Sequence, residues 1–166
     1  MSVSKLSKER FGQFVDAMLA AGRRVVGVVA KEDRFQFDDL RSAAALRLDY
    51  DVTILPPKKY VLPQVEPLLQ FEVGGRAQSV MNYDPMILLG VHPYDLIAIR
   101  QMDELFSQGE YDRHYMDRRK QITIIACDVV RPSKNIFASS METAVVSDGY
   151  DILITDIGDA YLLDVA

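Results

Sequence analysis

The chain has 166 residues, 49% of them hydrophobic and 26% charged, with a formal net charge of −5 at neutral pH. That balance suits a globular domain and offers no general attraction for phosphate backbones; its basic residues are scattered in twos and threes, so nucleic acid is not an expected partner. No apolar run approaches the roughly 20 residues that cross a bilayer, and the single cysteine, Cys127, excludes an internal disulfide or a multi-cysteine metal site built by this chain alone.

The amino terminus mixes charge with helical spacing and has no apolar segment of the secretory kind, which sets the expectation of a cytoplasmic protein. Ser7 can cap a first helix, with Glu9 in its opening turn. Phe11, Phe14, Val15, Met18 and Leu19 recur at three- and four-residue intervals, and Gly22 ends the pattern. Residues 24–30 then read as a strand, with a polar turn near Lys31 to Asp33 and a second short strand around Phe35 to Phe37, a hairpin in its simplest form. Prolines at 56, 57, 63 and 67 forbid a long helix and predict an ordered but irregular excursion. The stretch "VGGRAQSV" supplies a turn, and "PMILLG" suits a buried strand.

Pro93 fits the first turn of a helix running to about Phe106, with Leu96, Ile97, Ile99 and Met102 on its apolar face. The charged "GEYDRHYMDRRKQ" predicts a short exposed helix or loop, and "ITIIACDVV" the best buried strand in the chain. A turn-rich segment follows, then two strands joined through Ile157, Gly158 and Asp159. Interleaved helices and strands predict an α/β or α+β fold, a mixed β-sheet flanked by helices in one compact domain over residues 1–166.

Several side chains invite a chemical role. Gly90 to Asp95 places His92, Tyr94 and Asp95 at a strand-to-helix corner, where helix amides and an imidazole can meet a small ligand or anion. The same residues are explained by corner geometry alone: Gly90 for the tight exit, Pro93 for the helical φ, Asp95 for the helix dipole. Lys58, Lys59 and Tyr60 sit between proline pairs, either steering an acidic partner or forming a solvated basic loop. Cys127 ends an apolar strand and reads first as a small core residue, second as a thiol activated by His92 or His114. His114 reads as a solvated surface residue. Asp151, Asp156 and Asp159 suggest a cation site, although turn chemistry accounts for Asp156 and Asp159. Ser139 and Ser140 lack the Gly-x-Ser-x-Gly setting of a nucleophile, and no Gly-x-Gly-x-x-Gly follows a strand, so neither serine catalysis nor direct dinucleotide binding is expected.

The segments "LPPKKYVLPQVEPLLQFE", "ILLGVHPYDLIAIRQMDELF", "ITIIACDVVRPSKNIFASSM" and "GYDILITDIGDAYLLDV" occur in an order that resembles the amino-terminal region of the family that unites sulfhydrogenase β subunits with the A component of anaerobic sulfite reductase. The resemblance implies an electron-transfer subunit. In that family the region precedes a ferredoxin-like part with two [4Fe–4S] clusters, which pass electrons between a flavin-containing, nicotinamide-binding partner and the catalytic subunit. Here that ferredoxin part is expected to be absent, the chain being a fragment or a naturally short protein.

The sequence also departs from the family pattern, which often has cysteine where this chain has Tyr94, and Cys-Phe-Cys where it reads Ile136-Phe137-Ala138. Only Cys127 stands at a matching cysteine. One thiol does not hold a cluster that needs four. The expected function is therefore a non-catalytic docking or scaffold subunit of a cytoplasmic electron-transfer complex, with no catalytic residue, metal or cofactor of its own. Iron–sulfur clusters and flavin would belong to partner redox subunits or to a missing carboxyl-terminal part. A stand-alone ligand-binding or regulatory domain with a pocket near His92, Tyr94 and Asp95 is the alternative.

Overall fold

In the computed structural model, which describes residues 2–81 and 83–166, the first helix begins at its cap. Ser7 closes strand β1 (Ser2–Ser7) and its Oγ accepts from the Arg10 amide at 3.2 Å, opening helix α1 (Lys8–Ala20). At the other end Gly22, at φ +72°, lets its own amide reach the Leu19 carbonyl and the Arg23 amide the Met18 carbonyl. Phe11 and Val15 are buried, and Phe11 meets Tyr161 edge-on at 5.0 Å.

The predicted hairpin forms from β2 (Arg24–Lys31) and β3 (Arg34–Asp39). The remaining principal strands are β6 (Met86–Val91), β7 (Ile122–Cys127), β8 (Ile152–Asp156) and β9 (Ala160–Val165), with a minor hairpin of β4 (Leu69–Gln70) and β5 (Gln78–Ser79) apart from them. One seven-stranded sheet runs in the order β1-β9-β8-β7-β6-β2-β3. Its centre, β2, β6, β7 and β8, is parallel, and each flank is antiparallel. This is the predicted mixed sheet.

Consecutive residues of β2, β6 and β7 are buried, so both faces of the sheet centre are covered, and the near-continuous Val, Ile and Leu of these strands follow from that. Helix α2 (Pro93–Ser107) buries Leu96 and Ile99 and packs near β7, α3 (Arg113–Arg119) and the short 3-10 turn Pro57–Tyr60.

Two readings of the sequence need correction. The "GEYDRHYMDRRKQ" segment is not simply exposed: Tyr115 and Arg118 of α3 are buried. Arg118, 6% exposed, donates to the Val61 carbonyl at 2.9 Å, pairs with Glu66 and lies over the Tyr83 ring at 4.5 Å. Its charge holds Val61, Glu66 and Tyr83 of the irregular excursion onto the helix. Nor is β1 legible beforehand: "SVSKLS" is half serine, and as an edge strand it exists through its register with β9, from Ser2 opposite Val165 to Ser7 opposite Ala160.

Candidate functional site

The carboxyl end of β6 builds the corner anticipated from "LGVHPYDLIAI". The β6–β7 register shifts between Leu89 and Val91, and the intervening Gly90 adopts φ +90°. That positive φ calls for glycine, and a Cβ there would also lie 3.0 Å from the tip of the Leu48 side chain, which would have to give way. The Gly90 carbonyl leaves the ladder and accepts instead from the Tyr50 hydroxyl at 2.7 Å. His92 occupies the N-cap position of α2 without a side-chain capping bond, Pro93 supplies the first turn, and Asp95 lies in that turn.

His92 is 0% exposed and stacks on Tyr50, with ring centroids 3.9 Å apart and planes 4° from parallel. Its Nδ1 lies 2.6 Å from the Tyr94 hydroxyl, which donates to the Asp51 carbonyl at 2.8 Å. A carbonyl only accepts, so the phenolic proton points to Asp51 and Nδ1–H donates to the phenol oxygen. Nε2 is then a bare acceptor, buried and without a donor among the described residues. Burial pushes the His92 imidazole down to about 4, against a smaller opposing pull from Asp51, so the ring is neutral at pH 7.

Burial also pushes the Asp95 carboxyl up to about 6, with Lys58 opposing. The Tyr94 and Tyr50 phenols are raised, again chiefly by burial, with Cys127 among the neighbours that add to it. Tyr50 and Asp51 are thus half of this network, although no local pattern in "RLDYDV" announces them.

Tyr94 also forms part of the wall of a cavity of about 330 Å³, shared with Val52, Ile136, Phe137, Ala138 and Met141. Residues 94, 136 and 138, where the resemblance implies cysteine in many relatives, line this one cavity. Cys127, which does not line that cavity, ends β7 beside the end of β6. Its neighbour Asp128 lines an adjoining cavity that shares Ile136, Phe137 and Ala138. As it stands the donor set does not fit an iron–sulfur cluster. A phenol, a branched alkyl group and a methyl face the cavity, and the one thiol is 2% exposed and pushed by burial away from thiolate.

The remaining candidates disperse. Lys59 Nζ and the Tyr60 hydroxyl both donate to the Phe37 carbonyl, at 3.1 and 3.0 Å, so they fasten the proline-rich turn to β3; only Lys58 of the three is exposed. His114 is half-buried rather than solvated, its Nδ1 2.8 Å from the Tyr83 hydroxyl and Nε2 3.1 Å from Ser79 Oγ. That contact pattern was invisible because its partners lie more than thirty residues away. Asp151 accepts from the Ile124 amide, Asp156 pairs with Lys8 and Asp159 with Lys5, so the three do not gather; no metal-sized group of His, Cys, Asp or Glu occurs among the described residues. Ser139 and Ser140 line the wall of the adjoining cavity.

Over 165 residues, 99% of this chain, the sequence is 30% identical to the sulfhydrogenase 2 subunit beta of Pyrococcus furiosus. It covers 48% of that relative, so the chain spans about half its length and is related to part of it. No protein-family model matches, and no solved structure matches.

Proposed function

We propose that the chain is a non-catalytic docking subunit or domain of an electron-transfer complex, holding a flavoprotein and an iron–sulfur protein in fixed relation. The observation that carries this reading is the 30% identity running through 99% of the chain to a region of a sulfhydrogenase beta subunit. The chemistry of the site agrees with a positional role: the imidazole at the corner is buried and neutral, and the lone thiol is buried and protonated. Electrons would run through the partners' cofactors, in a cytoplasmic assembly. Residues 1–166 act as one domain.

The surface agrees as well. Val65, Leu69, Phe71 and Val73 stand exposed along the excursion around β4, and Phe137, Met141 and Val145 along the loop after β7. Apolar surface held this far out of the core is characteristic of contact with another protein. The test is anaerobic affinity purification of the tagged chain from its native host, with mass spectrometry and flavin and iron assays on the eluate. A flavoprotein and an iron–sulfur protein in fixed stoichiometry are expected; recovery of the chain alone under several salt conditions overturns the docking role.

A second reading has one observation of its own. The cavity beside Tyr94 has the volume of a small-molecule site and mainly apolar walls, as a ligand-binding domain would.

A further inference from the structure

We infer that the cavity beside Tyr94 and the adjoining one at Asp128 form a single site for a small amphipathic amine, its apolar body against Tyr94 and Phe137 and its ammonium head at the Asp128 carboxylate. The inference rests on the ligand-binding reading of the first cavity and gives that reading a ligand class.

The two cavities differ in chemistry and share a wall. Ile136, Phe137 and Ala138 line both, so a molecule seated on that wall reaches each. The first, of about 330 Å³, is walled mainly by apolar groups and by no charged side chain. Its Tyr94 hydroxyl is already engaged, taking the Nδ1 hydrogen of His92 and giving its own to Asp51, so that residue offers the cavity a ring and not a polar group. Phe137 and Met141 line the cavity and are nonetheless 69% and 62% exposed, apolar surface that a bound ring would cover. Both cavities lie beyond the carboxyl ends of the parallel strands β6 and β7, as the ligand sites of open α/β sheets do.

The sign of the head group comes from Asp128, the one charged side chain among the described residues that line the second cavity. Its Oδ2 accepts from Thr155 Oγ1 at 2.5 Å, which fixes the carboxylate in place, and its Oδ1 takes no hydrogen bond from any described residue. No described Lys, Arg or His pairs with it. The basic residues of the same loop are not at hand: Arg131 is turned to Asp49 at 3.3 Å, and neither it nor Lys134 lines either cavity. An anion would meet a carboxylate with no compensating cation, whereas an ammonium supplies both the charge and the N–H donor that Oδ1 lacks. The net charge of −5 acts in the same direction.

The test is isothermal titration calorimetry of the full chain at pH 7 with three probes that share a ring and differ in the head: naphthylethylamine, naphthylethanol and naphthylacetate. The amine should bind about tenfold tighter than the alcohol, the ratio of one charge-assisted hydrogen bond, and the acetate more weakly than either. Asp128→Asn should bring the amine down to the level of the alcohol and leave the alcohol unchanged. Ala138→Trp, which fills the shared wall, should abolish binding of both.

An alcohol that binds as tightly as the amine, or an amine unaffected by Asp128→Asn, overturns the head assignment and leaves the cavity a ligand site. Binding of no probe at millimolar concentration overturns the ligand-binding reading as well. Ala138→Trp with native circular dichroism and undiminished binding overturns the location. If Asp128→Asn does not fold, the amine-to-alcohol ratio of the parent is compared at low and high salt, and a ratio that does not fall overturns the ion pair. If Ala138→Trp does not fold, Phe137→Ala, at an exposed position, should weaken amine and alcohol alike, and no change in either overturns the location.

Discussion

Asp95→Asn should make the protein markedly more acid-sensitive, although it removes an acid. His92 titrates at about 4 when folded, against about 6.5 unfolded. The unfolded chain therefore binds the extra proton first, and the stability His92 confers is complete above pH 6.5 and lost as pH falls toward 4. Asp95 is opposite: about 6 when folded against 3.8 unfolded, it lends stability that is complete below 3.8 and lost as pH rises through 6. Between pH 7 and 4.5, linkage gives a loss of about 2 kcal/mol from His92 and a gain of about 2 kcal/mol from Asp95, so the corner is nearly insensitive to pH. Asp95→Asn unmasks the histidine.

The assay is urea denaturation of both proteins at pH 7.0, 5.5 and 4.5, reading the difference between them. Groups outside the corner titrate alike in the two proteins and drop out of that difference. The variant should lose about 2 kcal/mol more than the parent between pH 7 and 4.5, and His92→Gln should shift the other way by a similar amount. A difference between parent and Asp95→Asn that stays constant across this range would refute the burial argument for Asp95.

Other outcomes follow from single contacts. Tyr94→Phe removes the bridge between His92 Nδ1 and the Asp51 carbonyl and leaves a buried N–H without a partner, at a cost of about 2 kcal/mol in urea denaturation. Adding His92→Phe should recover part of that loss in a double-mutant cycle, because the orphaned donor is then gone. Arg118→Met breaks the buried pair with Glu66 and should cost about 3 kcal/mol, with increased proteolysis of the 61–83 segment; Arg118→Met/Glu66→Met should be less damaging than the single change. Cys127, buried and held protonated, should resist iodoacetamide at pH 8 in the native protein and react promptly in 6 M urea; equal rates in both would contradict its place in the core.

The sequence by itself determined the elements whose signals are local. The Ser7 cap with its 3–4 apolar spacing, the runs "RVVGVVA", "MILLG" and "ITIIAC", and Pro93 after Gly90 each carry their instruction within a few residues, because periodicity and turn chemistry act at that range. The corner at residues 90–95 was legible for the same reason. Only the tertiary structure decided what that corner is. Tyr50 and Asp51, some forty residues before Tyr94, supply the stacking ring and the carbonyl that settle the His92 tautomer. Loop residues 136 and 138 arrive at Tyr94 only because β6 and β7 lie side by side in parallel. Strand β1 and the burial of Arg118 likewise depend on distant partners, Val165 through Ala160 for one and Val61 and Glu66 for the other. The charge pattern of α3 reads as a solvated face until those partners are in place, since burial, and with it the direction of every shifted pKa in this site, belongs to packing and not to spacing.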